Sequence, residues 1–375
     1  MNNICTDNKK QKRVVAITPF EAGWLNVELT KDCGLVPYLL YKNHNFDAVM
    51  VGVRADNYIY LNSYVKGMRM EFLQDGSMET KCRYIKENAL EIDVLILRGC
   101  YFTNFCYAKI YKIYNPAGKI YVGLDANSAW MDQIIWEDKE FTEFMNSCDV
   151  IAVSCRAMQD YLNIKWPWKI ECLPNGYYNF CRYQDAPVFE EKENIILTVG
   201  RLGSEQKATH ILLEAFSRIY QVIPEWKIRL IGSVEKQFYE YLDDYFVRFP
   251  ELRETILFVG EISDRGVLLR EYLKAKIFTL SSVAEGAPNV IPEALNAGCV
   301  MAVSKYDAYD DAINGGECGM AFDINDVSGY ARILLELCRD ADLKHMSENA
   351  YRHGRNFFNM EKIIARLNEM LFGGK

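Results

Sequence analysis

No stretch of this 375-residue chain approaches the ~20 apolar residues of a membrane-crossing helix. The leader lacks the apolar h-region of a secretory signal. Twelve cysteines are present without one Cys-x-x-Cys pair. The nearest spacings, Cys100 with Cys106 and Cys148 with Cys155, match no zinc or redox motif. Reduced core thiols of a cytoplasmic protein are expected. His44, His210, His345 and His353 stand too far apart for metal-ligand spacing, and no metal is expected. Positive charge is also scarce. The formal net charge is -8, and the only basic run is Lys9-Lys10-Gln11-Lys12-Arg13, so a nucleic-acid partner is not expected.

What the chain does have is an ordinary globular balance, 50% hydrophobic and 25% charged. Short apolar runs recur at 14–18, 48–53, 92–97, 120–124, 150–154, 195–199, 227–231, 256–259, 277–280 and 300–304. Their apolarity is continuous rather than alternating, which predicts strands of a parallel sheet buried on both faces. The segments between them have helical spacing. Over 209–220, Ile211, Leu212, Ala215, Phe216 and Ile219 fall on one face. Strand–helix alternation predicts a doubly wound α/β architecture. A proline and a charged run, Glu190-Glu191-Lys192-Glu193, break the pattern over 182–193 and read as a linker. The expected organisation is a first Rossmann-like domain over 1–187 and a second over 188–355. An amphipathic helix within 356–375 then packs back on the first, with Ile363, Ile364, Leu367, Met370 and Leu371 spaced for burial. Two such domains make a cleft, and ligands of open α/β sheets sit beyond the carboxyl ends of the strands.

The chemistry-bearing residues follow those strand ends. After the run 277–280 come Ser281-Ser282-Val283-Ala284-Glu285-Gly286-Ala287-Pro288-Asn289-Val290-Ile291-Pro292-Glu293. Asn289 reads as an N-cap and Pro292 as a first-turn residue, so free N–H groups there suit a diphosphate. Glu285 on the loop and Glu293 in the first helical turn would face one pocket from different heights. Carboxylates repel phosphate but accept strongly from sugar hydroxyls, one for a ribose and one for a hexose. The plainer alternative is that Glu293 complements the helix dipole and Glu285 is a solvated loop residue. After the run 195–199 comes Gly200-Arg201-Leu202-Gly203-Ser204-Glu205-Gln206-Lys207, which carries two cations able to neutralise a departing diphosphate. Surface cations in a polar loop are the alternative there.

The Gly200-Arg201-Leu202 string, Lys207, and Glu285 to Glu293 followed by Ala294-Leu295-Asn296-Ala297-Gly298 resemble glycosyltransferase family 4, of the GT-B fold. Cys172-Leu173-Pro174-Asn175-Gly176 matches that family's Pro-Asn-Gly turn. The resemblance covers 194–343 and, more weakly, the first block. It implies a retaining transfer that needs no metal or other cofactor, from a UDP- or GDP-linked sugar. Arg201 and Lys207 would bind the diphosphate. Glu285 would contact the donor sugar, with the backbone of Gly286, Ala287, Pro288, Asn289 and Val290 around it. Glu293 would take the ribose, and Gly260, Glu261 and Ile262 would lie near the base. Gly23 would bring its amide to the diphosphate. The chain departs from the family in having Ala208 after Lys207, a single glycine in Phe20-Glu21-Ala22-Gly23-Trp24, and Asp125-Ala126-Asn127 where many relatives carry histidine. Asp125 and Asn127 are candidates for the acceptor side, and Asp125 could equally cap a helix. By analogy the acceptor would be a glycan or a lipid-linked glycan of cell-surface polysaccharide assembly. The place of action would be the cytoplasm or the inner membrane face.

Three further features have two readings. Asp340-Ala341-Asp342 could bind a metal–nucleotide but follows a helix, so a helix boundary is expected. Tyr107-Ala108-Lys109-Ile110-Tyr111-Lys112-Ile113-Tyr114 and Trp166-Pro167-Trp168-Lys169 are read first as packing segments and second as membrane contacts. Two other functions are also compatible: a sugar-nucleotide epimerase of the same fold, and a silent binding subunit of a partner transferase.

Overall fold

The structure is a computed structural model that describes residues 11–124, 127–183, 185–339 and 341–373. The first sheet contains β1 (Lys12–Ile17), β2 (Phe46–Gly52), β3 (Arg69–Phe72), β4 (Val94–Arg98), β5 (Lys119–Leu124), β6 (Val150–Val153) and β7 (Glu171–Cys172). The second contains β8 (Glu193–Val199), β9 (Lys227–Ile231), β10 (Ile256–Gly260), β11 (Ala275–Leu280), β12 (Val300–Ser304) and β13 (Gly319–Phe322). The orders are β3-β2-β1-β4-β5-β6-β7 and β10-β9-β8-β11-β12-β13, with every neighbouring pair parallel. Each sheet reverses direction in its middle, between β1 and β4 and between β8 and β11. Chains leave those strand pairs toward opposite faces, and a crevice opens at their carboxyl ends.

All ten apolar runs are strands. The three strands without such a run are short or half exposed. β3 has no fully buried residue, β7 has two residues, and β13 opens on a glycine. The helix expected over 209–220 ends at Ser217. A short 3-10 turn, Tyr220–Val222, follows it. Ile219 is nevertheless buried in the same core as Ile211 and Phe216.

The last helix, Met360–Phe372, buries Ile363, Ile364, Leu367 and Leu371 against helix Asp32–His44 of the first half. The chain therefore crosses between the halves twice. Both crossings meet where Tyr177 N–H donates to the Phe358 carbonyl (2.7 Å) and Met360 N–H donates to the Tyr177 carbonyl (3.1 Å). Gly176 is required there, because a Cβ would lie 2.9 Å from the Cα of Met360. One hydrophobic cluster runs from the first sheet into the second.

The segments with two readings are built into this packing. Tyr107, Ala108 and Tyr111 of helix Phe102–Tyr114 are fully buried against helices Met78–Asn88 and Lys139–Ser147. Trp166 and Trp168 pack edge-on to Phe141. Asp342 caps helix Leu343–Phe357 by accepting from His345 N–H, whereas Asp340 lies outside the described residues. Among the described residues no helix is long and apolar enough to cross a membrane, and every cysteine is a free thiol.

A candidate active site at the facing switch points

The loops after β8 and β11 meet at the second sheet's reversal. Val283 N–H donates to the Gln206 carbonyl (2.9 Å), and the Gln206 amide donates to the Ala284 carbonyl (2.9 Å). Ser281 Oγ donates to the carbonyls of Lys207 (3.0 Å) and Ala208 (3.1 Å). These bonds bring the Lys207 ammonium onto Glu285 Oε1, which also accepts from Ser282 Oγ at 2.7 Å. The Glu285 side chain is 9% exposed, so its charge is mostly removed from water and requires that cation. Lys207 thus runs from beneath Gly200 to Glu285. The exposed Arg201 guanidinium donates to Gln206 Oε1 at 2.9 Å.

Glu293 is held separately. Its Oε1 accepts from Arg265 (2.9 Å) and its Oε2 from the Tyr272 hydroxyl (2.9 Å). Burial, then the nearby Glu293 charge, pushes the Tyr272 hydroxyl well up, so it remains a donor. Arg265 also donates to Thr30 Oγ1 of the first half at 2.5 Å.

Two adjoining cavities open here. One, of about 650 Å³, has Gly200, Arg201, Glu261, Ile262, Val290 and Glu293 on its second-half wall. The other, of about 600 Å³, has Gly23 on one side and Glu285, Gly286 and Ala287 on the other. Leu25, Lys31 and Asn289 line both. The two glutamates therefore do not share a pocket, as their spacing had suggested. Asn289 stands between them, and each carboxylate has its own cation.

Other expected residues sit differently. Asn289 has helical backbone angles and no side-chain capping bond, so helix Val290–Asn296 starts without it. Gly260 and Pro288 line neither cavity. Gly260 has φ +84°, with open space where a Cβ would be, and marks the turn out of β10. Gly23 is fixed by contact, since a Cβ would lie 1.9 Å from the Val53 carbonyl oxygen. Asn127 spends its side chain as the cap of helix Ser128–Met131, accepting from Trp130 N–H at 2.9 Å, and lines neither cavity. Asp125 lies outside the described residues. The Pro-Asn-Gly turn acquires a concrete task, because the Asn175 amide donates to the Ala287 carbonyl (2.8 Å) and ties the first half to the Glu285 loop.

Sequence reasoning passed over Arg265, Tyr272 and Thr30. The strand-end rule could have found Arg265, which follows β10 directly after its helix cap, Asp264. Thr30 and Tyr272 have no local signal. Among the described residues, no group of three or more His, Cys, Asp or Glu is placed to hold a metal ion.

Two parallel six- and seven-stranded sheets facing across a crevice define the GT-B fold. Residues 182–353 match the family model described as Glycosyl transferases group 1. Over 202 residues the chain is 22% identical to a phosphatidyl-myo-inositol mannosyltransferase of Mycolicibacterium smegmatis, half of each chain. It is 25% identical over 239 residues, 62% of each chain, to a Campylobacter jejuni enzyme. That enzyme is named GalNAc-alpha-(1->4)-GalNAc-alpha-(1->3)-diNAcBac-PP-undecaprenol alpha-1,4-N-acetyl-D-galactosaminyltransferase. The match thus spans half to three fifths of these curated relatives. The crystal structure of HepE from Anabaena in complex with UDP superposes with a TM-score of 0.73 at 15% identity, over 97% of this chain and 100% of that one. At that identity the likeness speaks for the fold.

Proposed function

We propose that this chain transfers a sugar from a UDP- or GDP-linked donor to a hydroxyl of a glycan or lipid-linked glycan acceptor, with retention at the anomeric carbon and without a metal ion. The observation that carries the proposal is the pair of carboxylates, each already held by its own cation, on the walls of two adjoining cavities. A carboxylate has about four acceptor positions. Arg265 and Tyr272 use one on each oxygen of Glu293, which leaves two for the two hydroxyls of a ribose. Both contacts of Glu285 fall on Oε1, which leaves Oε2 for a hydroxyl of the donor sugar.

On this reading the nucleoside occupies the 650 Å³ cavity, with its base by Glu261 and Ile262. The diphosphate lies between the Gly200–Arg201 turn and Gly23. The sugar extends into the 600 Å³ cavity beside Glu285 and the 286–290 backbone. The acceptor oxygen bonds to the anomeric carbon on the face from which the phosphate oxygen departs. A donor phosphate oxygen takes the acceptor's proton. Lys207 and Arg201 offset the charge that grows on the leaving diphosphate. The C. jejuni and M. smegmatis relatives, whose names describe glycosyl transfer to lipid-bearing acceptors, support the choice of acceptor.

A thermal-shift panel of UDP, GDP, ADP and dTDP tests the donor side, because a nucleotide that binds only the folded chain raises its midpoint. A rise with UDP or GDP is expected. No rise with any of the four would sink the proposal. Incubation with the matching nucleotide sugar and a glycan acceptor should then yield an α-linked product from an α-linked donor by NMR. An epimerised donor formed without acceptor would replace transfer with epimerisation.

A further inference from the structure

The first-half wall of the 600 Å³ cavity carries two aromatic rings that the donor chemistry does not use, and a third stands beside them outside the lining. Phe20 and Tyr101 line the cavity and meet edge-on, with centroids 5.0 Å apart. Trp130 extends the row, 5.9 Å from Tyr101. Phe20 is 54% exposed and Trp130 36%. Exposed aromatics cost solvation, yet buried groups hold the Phe20 and Tyr101 loops in place, and side-chain hydrogen bonds hold the Trp130 helix.

Lys81, on helix Met78–Asn88, is fully buried and donates its ammonium to the Phe20 carbonyl. Thr103 Oγ1 donates to the Pro19 carbonyl (3.1 Å) and ties the same loop to helix Phe102–Tyr114. The Tyr101 ring folds back over Gly99, at φ +75°, where a Cβ would lie 2.3 Å from the ring. Buried Asn104 clamps that turn through the carbonyls of Arg98 (2.6 Å) and Gly99 (2.9 Å). Trp130 sits on the helix that Asn127 caps, and Ser128 N–H fixes that helix to Asp307 of the second half at 2.6 Å. The buried Lys81 ammonium fixes the Phe20 carbonyl, and the nearby Glu21 charge offsets part of its burial cost.

The cavity beside these rings is charged in both signs, with Glu28 and Asp32 against Lys31 and Arg98, and it holds the amides of Asn175 and Gln206. A balanced set of donors and acceptors beside an aromatic ledge suits a neutral ligand that has an apolar C–H face and a rim of hydroxyls. A polyprenyl chain would take those charges out of water and offer them no hydrogen bond in return. We propose that Phe20, Tyr101 and Trp130 form a stacking platform for a pyranose ring of the acceptor, so that the acceptor is a saccharide at its reacting end. This rests on the glycosyl-transfer reading for its purpose, but not for its measurement.

The test uses the full chain and a panel of neutral disaccharides containing glucose, galactose, mannose, N-acetylglucosamine or N-acetylgalactosamine. Binding is read by saturation-transfer NMR and by tryptophan fluorescence. At least one disaccharide should bind saturably. Its Kd should rise by about three- to tenfold in Phe20→Leu and Trp130→Leu, and change less than about twofold in Trp130→Phe, which keeps a ring. UDP and GDP midpoints are measured on the same samples. The platform is overturned if no disaccharide binds, if the leucine variants bind as well as the parent, or if polyprenyl-phosphate vesicles alone give a Trp130-dependent signal. Nucleotide binding with no disaccharide binding refutes the platform and leaves the donor reading standing. Ring-dependent disaccharide binding with no nucleotide binding keeps the platform and removes the transfer reading.

Discussion

The two walls of the cleft are made by different means. The second-half wall is a set of ion pairs, Lys207 with Glu285 on the loops after the adjacent strands β8 and β11, and Arg265 with Glu293 in the first turns of the helices after β10 and β11. The first-half wall adds aromatic rings and backbone to one ion pair of its own, Arg98 with Asp32, and buried polar groups far off in sequence hold it. Charge at the second wall is positioned before any ligand arrives, as electrostatic stabilisation of a leaving group requires. At the first wall the positions of the rings are fixed as well. The contrast teaches that donor and acceptor functions can be separated by substitution. Changes in the ion pairs should act on nucleotide binding and turnover, and changes in the rings on acceptor affinity.

The sharpest way to break that comparison is Lys207→Ala. Turnover should fall about a hundredfold, because one contact to the leaving group is worth ~3 kcal/mol. The variant should also lose about 3 kcal/mol of stability, since it strands the mostly buried Glu285 carboxylate. Lys207→Met combined with Glu285→Gln separates the two effects. It should recover most of the unfolding midpoint and none of the turnover. Recovered turnover would mean that the ion pair serves the fold alone.

Next in size is Glu293→Gln. One oxygen becomes an amide nitrogen that can only donate and the other loses its charge, so nucleotide affinity should fall about tenfold, a difference of about 1.4 kcal/mol. Titration calorimetry with the nucleotide found by thermal shift reads this directly. Unchanged affinity would remove Glu293 from the donor site and leave it as the partner of Arg265 at the junction with Thr30.

The two walls also differ in how far the sequence reveals them. Arg201, Lys207, Glu285 and Glu293 each follow a strand that is buried on both faces, so continuous apolarity locates the strand and the next loop supplies the site. That logic yields the residues but not their pairing. Lys207 and Glu285 are 78 positions apart, and the sequence offers them as separate ligands for phosphate and sugar. The same logic reaches Arg265 after β10, but nothing local says which carboxylate it will meet. The first wall depends on even longer links, 61 positions from Lys81 to Phe20 and 84 from Thr103 to Pro19. No spacing rule marks Lys81 as buried, because it sits in an otherwise polar helix. Trp130 shows neither a motif nor a periodicity. Strand β3 was hidden for a related reason, since half-exposed edge positions carry no apolar run.

A smaller effect probes the departure at Ala208. Its backbone is left-handed, φ 44° and ψ 44°, with the side chain buried just ahead of helix Thr209–Ser217. Glycine occupies that region without strain, whereas alanine carries a cost of about 1–2 kcal/mol. Ala208→Gly relieves the strain but loses a buried methyl and frees the unfolded chain, terms of about 1 kcal/mol each in the opposite direction. Its stability should therefore stay within about 1 kcal/mol of the parent, with transfer retained. Ala208→Val keeps the strain and adds a branched Cβ, and should cost about 2 kcal/mol in a denaturant titration. A valine variant as stable as the parent would show that this loop re-forms with another backbone, and that the second wall is less fixed than its ion pairs suggest.

The smallest expected effect lies behind both walls. His353 packs flat on Phe357, and its Nε2 lies 2.7 Å from the Asp311 carbonyl. The Asp311 carboxylate pairs with Arg156 from the first half. Burial holds the His353 pKa below its ordinary 6.5, offset in part by the Asp311 carbonyl and by the charges of Asp311 and Glu317, while Arg156 adds to the lowering. The folded chain therefore binds fewer protons at this site than the unfolded chain once pH falls below about 6.5. Stability from this group is complete above that value and is lost progressively as pH drops toward the folded pKa. His210 shifts in the same direction through burial, so it contributes a second share. Unfolding midpoints at pH 7.5 and 5.5 should converge in His353→Gln relative to the parent, without vanishing. The variant should leave nucleotide affinity at pH 7.5 unchanged, because the ring touches neither cavity. If acid instead weakened nucleotide binding in the parent and not in the variant, the junction would be coupled to the second wall, and the two walls could no longer be treated as independent.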